Sequence, residues 1–111
     1  MNKSLETAIK NDEPYFKGKA SVWKGRIIRK LSENSLPEAK DQILEGLEIL
    51  TELGAKPDIA MGHFFLGELY AQNNGHEEAA IHLKKAEVLF KEMSMDYWLE
   101  ETKKTYQNSK L

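Results

Sequence analysis

The sequence predicts an all-α chain made of two helical hairpins and a C-terminal capping helix. Apolar residues recur at helical spacing along most of the 111 residues, and the alternating β-branched pattern of strands is almost absent. The three prolines stand where helices are predicted to begin. A composition of 41% apolar and 31% charged residues, with a net charge of −2, fits one globular domain.

The first hairpin is predicted over residues 14–54. Asn11 to Pro14 combines polar and acidic residues with proline, as helix N-termini do, so residues 1–13 are expected to be a partial leading helix that ends there. The apolar stripe of the helix that follows consists of Ala20, Trp23, Ile27 and Leu31. Ser35 and Glu38 have the spacing of a capping box for a second helix, which stops at Gly54.

The second hairpin is predicted over residues 57–93. Its first helix is apolar on most sides, so we expect it to be central, and Asn73-Asn74-Gly75 is a strong stop signal. The small residues Gly67, Ala79 and Ala86 favour close approach of the two helices. A capping helix over residues 96–108 follows, in which Tyr97 and Trp98 are expected to cover the last hairpin.

The two hairpins are related by an internal repeat. A shift of forty residues aligns Glu38-Ala39 with Glu78-Ala79, and it also aligns four pairs in the second helices. These pairs are Ile43 with Leu83, Gly46 with Ala86, Leu50 with Phe90, and Leu53 with Met93.

The stretch from Ala60 to Trp98 carries a family signature. It places large, small and aromatic residues at the spacings of one helical-hairpin repeat: His63, Leu66-Gly67, Tyr70, Ala79, Leu83 and Ala86. In this pattern the stretch resembles a tetratricopeptide repeat (TPR), with His63 in place of the usual tryptophan and Lys91 in place of the usual proline. The segment from Phe90 to Leu99 is also similar to the tails of helical-repeat regions in large bacterial signalling ATPases and nucleotide cyclases.

The resemblance implies a right-handed α-α superhelical solenoid that acts as a protein–protein interaction scaffold. TPR ligands lie in the groove lined by the first helix of each repeat. Carried onto this sequence, the partner-binding residues are Lys24, Ile28, Met61, Phe64 and Glu68. A clamp for C-terminal carboxylates is not expected, because Ile28 and Phe65 stand where that clamp uses asparagine.

Two other functions stay open. Barely two repeats are present where about three are generally needed, so the chain is also interpreted as a self-assembly module, either part of a longer solenoid or a homo-oligomer joined through its N-terminal end. The six cations between Lys17 and Lys30 form the most basic stretch, which is either a solvated face or a surface for an acidic partner. The acidic overall balance and the lack of a recognition motif argue against nucleic acid.

Catalysis, cofactors and metal ions are not expected. The sequence has no phosphate-binding loop, no catalytic serine or zinc motif and no cysteine. His82 follows Glu78 by one helical turn, which is typical of a solvated pair, and His63 is expected to pack in the core interface. With no apolar run of membrane-spanning length and no signal peptide, the expected location is the cytoplasm.

Overall fold

The computed structural model describes residues 3–32 and 35–109, with side chains described from residue 13 onward. In these ranges the chain forms five helices: α1 (Lys3–Leu31), α2 (Leu36–Leu53), α3 (Lys56–Gln72), α4 (His76–Glu92) and α5 (Asp96–Asn108). The described residues contain no strand, so the all-α prediction is confirmed. The bounds of α2 to α5 lie within one or two residues of the predicted ones.

The predicted break before Pro14 is wrong. Helix α1 is continuous from Lys3 to Leu31 and contains Pro14 in its interior, so hairpin 1 has no separate leading helix within the described residues. Proline has no N–H to bond the carbonyl of Lys10, and its ring crowds that carbonyl, which is why the pattern indicated a start. The neighbouring residues keep their own helical bonds, however, and one lost bond does not end this helix. Met1 and Asn2 lie outside the described residues.

The predicted capping box at Ser35 is also wrong. The Ser35 hydroxyl makes no cap bond to α2, and it donates instead to the Ile28 carbonyl of α1 at 3.0 Å, with the Ser32 carbonyl also in reach. The Ile28 carbonyl also accepts the Ser32 N–H at 3.1 Å, so the hydroxyl adds a second hydrogen bond at the C-terminal end of α1. Ser35 therefore secures the end of α1 rather than the start of α2.

The three remaining turns share one geometry. Gly54, Asn74 and Ser94 have positive φ values of 69°, 63° and 56°. In each turn the N–H of the next residue bonds the carbonyl five residues earlier, at 2.8 to 3.1 Å, and the positive-φ residue bonds the carbonyl three residues earlier. This pair of bonds defines the Schellman motif. Because the turns recur every twenty residues, α3 and α4 have the same length of 17 residues.

Helices α1 and α2 pack through glycines. A Cβ atom added at Gly25 would lie 2.6 Å from Ile43 Cγ1 and 2.7 Å from the Ala39 carbonyl, and one added at Gly46 would meet the Gly18 carbonyl. The contacts run in opposite directions along the two helices, so the hairpin is antiparallel. Two backbones that approach this closely leave no room for larger side chains at these glycines.

Helices α3 and α4 form the second antiparallel pair. A Cβ atom at Gly67 would lie 2.5 Å from Leu83 Cγ, and Ala79 and Ala86 are fully buried in the same interface. Helix α5 then covers α3 and α4 through Trp98, whose ring lies 5.8 Å from Phe64 and 6.5 Å from Phe90 between centroids. Trp98 is half-buried, whereas its neighbour Tyr97 faces solvent.

Helices α1 and α3 lie side by side and run in the same direction. Near the start of α3, the Tyr15 hydroxyl donates to Asp58 Oδ2 at 2.9 Å. Further along, the Trp23 and Phe65 rings pack edge to face at 4.8 Å. Contacts in this order require parallel helices, and they place the C-terminal halves of α1 and α3 next to each other.

The apolar stripe of α1 does not face the core. Ala20, Ile27 and Leu31 are exposed, and within the stripe only Trp23 is half-buried, against α3. The buried face of α1 is made of Gly18, Val22 and Gly25 instead. Small residues permit the closest backbone approach, and that packing decides which side of the helix turns inward.

Candidate binding groove

A cleft of about 430 Å³ lies between the C-terminal halves of α1 and α3, and α2 closes its base. Helix α1 contributes three cations, and α3 contributes apolar, amide and carboxylate groups. The lining residues are Arg26, Arg29, Lys30, Ile43, Phe65, Glu68, Leu69 and Gln72. The cleft therefore combines a basic wall with a partly apolar floor.

Arg26 is held by α3 from two sides. Its Nε donates to Glu68 Oε1 at 3.3 Å, and its guanidinium carbon lies 4.5 Å from the centroid of the Phe65 ring and 5.8 Å from that of Trp23. A guanidinium stacked on aromatic faces is fixed in orientation while its charge is preserved. Arg26 is thus presented to the cleft in a defined position.

The charged residues that line the cleft are mainly cations. Arg26, Arg29 and Lys30 lie within about one turn of each other on one side of α1, and Glu68 is the one carboxylate among the lining residues. Partly enclosed walls of one sign concentrate the potential inside a cleft. The cleft is consequently suited to an anionic group.

A second, smaller cleft of about 230 Å³ continues this surface. It shares Glu68 and Gln72 with the first cleft, adds Ala71 from α3, and reaches the polar end of α5 at Thr105, Asn108 and Ser109. The two clefts together form a groove that runs across α3 from α1 to α5. We call this surface the α1–α3–α5 groove.

The site residues expected from the sequence are only partly brought together. Glu68 lines the groove, but Met61 and Phe64 are 6% and 2% exposed and belong to the hydrophobic core. Neither side chain lines the groove, and a ligand would have to displace core packing to reach them. Both side chains stabilise the fold instead.

Lys24 and Ile28 lie on the expected helix but outside the groove. Lys24 is exposed, and Ile28 is half-buried against the core. Each stands two residues from Arg26, and two residues correspond to about 200° around a helix. The family pattern thus placed Lys24 and Ile28 on helix α1, but on sides of it that do not face the groove.

The groove residues that the sequence reasoning missed are Arg26, Arg29 and Lys30 on α1 and Phe65, Leu69 and Gln72 on α3. One signal was available, since the three cations have the spacing of neighbours on a helix surface within the basic stretch. That spacing alone does not show which neighbouring helix they face.

A second polar cluster joins α3 to α4. The Nδ1 atoms of His63 and His82 lie 3.0 Å apart, so one ring donates and the other accepts, and the Tyr70 ring stacks on His82 at 5.7 Å. Burial, with the charges of His82 and Lys85 adding to it, lowers the pKa of His63 to about 4. Burial and Lys85 also lower the pKa of His82, against the opposite effect of Glu78.

This cluster corrects the expectation for His82. The residue is half-buried in the α3–α4 interface and hydrogen-bonds His63, while Glu78 acts on it through its charge. Among the described residues, no group of three or more histidine, aspartate or glutamate side chains could hold a metal ion. The two histidines therefore act as an internal hydrogen-bonded pair between the helices of hairpin 2.

Comparisons with protein-family models, with curated proteins and with solved structures gave no match. None of the helices in the described ranges combines the length and the apolar character that crossing a membrane requires.

Proposed function

We propose that this chain is a protein-interaction module that binds an acidic segment of a partner protein in the α1–α3–α5 groove. The observation that carries the proposal is the cleft beside Arg26, where three cations and one carboxylate surround a floor containing Phe65 and Leu69. The exposed Lys30 and the remaining donors of Arg26 favour acidic side chains, and the apolar floor favours one nonpolar side chain among them.

Glu68 supports this proposal through its position. Its carboxylate already accepts a hydrogen bond from Arg26 Nε, which shows the geometry that a carboxylate adopts at this wall. The pair is partly exposed, so its net stabilisation is small and a ligand carboxylate competes with it at little cost. Arginine presents several donors, and it can bind a second carboxylate while it keeps Glu68.

The arrangement of helices supports the same kind of function. Parallel α1 and α3, antiparallel hairpins and turns repeated every twenty residues are what a right-handed TPR-like superhelix would contain. In such an arrangement the first helices of successive hairpins line one surface, as α1, α3 and α5 line the groove. The proposed role is binding without catalysis, since the two hydroxyls in the groove, of Thr105 and Ser109, donate to backbone carbonyls rather than to a general base.

The proposal is tested by fluorescence anisotropy with a labelled library of peptides that combine glutamate or aspartate with one aromatic or leucine residue. For the best binder, Lys30→Glu is expected to weaken binding at least tenfold, because it reverses an exposed charge at the cleft. Lys103→Glu makes the same charge change at an exposed position on α5 outside the groove, and it should leave affinity within twofold. Equal losses in both variants, or no acidic binder in the library, would overturn the proposal.

A further inference from the structure

The solvent-facing side of α1 carries an apolar surface that no described part of the chain covers. Phe16, Ile27 and Leu31 are 61%, 54% and 82% exposed, and Ala20 lies between them. Their spacing places all four within about 60° of the helix circumference. We call these four residues the outer face of α1.

The outer face is distinct from the proposed groove and is bordered by cations. Lys17 and Lys24 lie along its edge, and no acidic residue occurs between Lys17 and Leu31. Contiguous apolar surface on a helix is typical of an interaction site. A complementary surface would have to be apolar at its centre and acidic at its border.

Helix α2 of the same chain has such a surface. A shallow pocket of about 420 Å³ is lined by Leu44, Leu47, Glu48, Thr51 and Glu52, and Leu44 is 39% exposed. The five acidic residues of α2 are all exposed, and the helix has a single lysine. This α2 pocket therefore supplies the apolar centre and the negative border that the outer face of α1 requires.

The two surfaces cannot meet within one molecule. Helix α1 contacts α2 through Gly18 and Gly25, on the side opposite to its outer face. Leu47 of the α2 pocket lies beside Gly62 of α3, away from α1. Contact between the outer face and the α2 pocket requires a second molecule.

We propose that the outer face of α1 in one copy of this chain binds the α2 pocket of a second copy. A symmetric pairing of two outer faces is disfavoured, because it would bring the lysines of both helices together. The α1-to-α2 contact pairs unlike surfaces, so it leaves one free surface of each kind and extends into oligomers unless the rotation closes a ring. A contact of one helix face is small, and association is therefore weak and concentration-dependent.

The test uses two variants of the full chain in sedimentation velocity from low micromolar to near-millimolar concentration. The first variant carries Ile27→Glu and Leu31→Glu, which place charges on the outer face. The second carries Leu44→Lys and Glu48→Lys, which alter the α2 pocket and leave the buried Leu47 unchanged. The unaltered chain is expected to exceed the mass of a dimer as concentration rises. Each variant alone should associate at least tenfold more weakly. Their equimolar mixture should form dimers and stop there, because it contains one intact surface of each kind.

Val88→Glu is the matched control, since Val88 is an exposed apolar residue of α4 outside both surfaces. It should associate like the unaltered chain, and urea unfolding should show that every variant is folded. A chain that is monomeric throughout, a pocket variant that still associates, or a mixture that stays monomeric would each overturn the proposal. None of these results bears on peptide binding in the α1–α3–α5 groove, which a monomer can perform.

Discussion

His63 and His82 share a hydrogen bond between their Nδ1 atoms at 3.0 Å, which joins α3 to α4 inside the second hairpin. One neutral ring donates to the other, so the bond as described requires that the accepting nitrogen be unprotonated. The stability of the α3–α4 interface should therefore depend on pH through these two histidines, neither of which lines the groove.

The pH prediction follows from the lowered pKa of His63, about 4 in the folded chain against 6.5 when unfolded. Below pH 6.5 the unfolded chain binds more protons, so stability is full above that value and falls as pH decreases toward 4. Because the ring is partly exposed, the full effect of the pKa shift is not expected. Lowering the pH from 7 to 5 should reduce the unfolding free energy by about 1 kcal/mol through His63. Urea unfolding of the unaltered chain and of His63→Gln, compared at both values, measures this difference.

The control for this experiment is His76→Gln, at an exposed position at the start of α4. It should keep the pH dependence that His63→Gln reduces. An NMR titration gives a second readout, because the His63 ring should remain neutral at pH 5.5. Titration of His63 near 6.5 would show that the ring is not held in this buried pair.

Close packing in hairpin 2 predicts a large effect of Gly67→Leu. A Cβ atom at this position already lies 2.5 Å from Leu83 Cγ and 3.2 Å from the Leu83 backbone nitrogen, so the backbone must move to admit leucine. We expect a loss of about 3 kcal/mol or more in urea unfolding. Gln72→Leu adds the same side chain at an exposed position of α3 and should change stability by less than about 0.5 kcal/mol. Equal stabilities would mean that α3 and α4 do not approach as described.

The turn at Ser94 predicts a stabilising substitution. Ser94 has a φ of 56°, a conformation that glycine adopts without steric cost, whereas Gly54 already fills the matching position after α2. Ser94→Gly is expected to raise unfolding free energy by about 0.5 to 1 kcal/mol, measured by thermal and urea unfolding. Ser109→Gly, at a φ of −87°, is the control and should give no gain. A gain in the control alone would contradict the assigned backbone geometry.

Phe64 is predicted to stabilise the folded chain. Its ring is buried between Phe65 and Trp98, so Phe64→Ala should lower unfolding free energy by about 3 to 5 kcal/mol. Tyr97→Ala removes an aromatic ring of similar size that faces solvent, and it should cost less than about 1 kcal/mol. A stable Phe64→Ala protein with selectively reduced peptide binding would restore Phe64 to the binding site.

The elements after residue 35 were largely predictable because their signals are local. Gly54, the Asn73-Asn74-Gly75 turn and the stretch before Asp96 end or begin helices through short-range chemistry. The alignment of Ile43 with Leu83 and of Leu50 with Phe90 likewise marks positions that are all buried. By contrast, Pro14 gave a strong local signal for a boundary that the continuous helix α1 does not have.

The groove was harder to predict because it depends on how helices are rotated against each other. Counting large apolar residues identified Trp23 and Ile27 as the stripe of α1, whereas Gly18 and Gly25 decide which side packs on α2. That rotation turns Arg26 toward α3 and leaves Lys24 outside the groove. Glycine has no side chain, so it does not contribute to a pattern of large apolar residues. Such a pattern therefore does not predict a helix interface that is formed by glycines.

The most direct test of the binding proposal is an amide chemical-shift titration of the isotope-labelled chain with the best acidic peptide. We expect the largest shifts at Arg26, Arg29 and Lys30 on α1 and at Glu68 and Gln72 on α3, with Nε–H signals of the arginines moving as carboxylates bind. The chemical shifts of amides along the α2 pocket should not change. Shifts confined to α2 or to the outer face of α1, with the groove unaffected, would contradict the assignment of the α1–α3–α5 groove as the binding site.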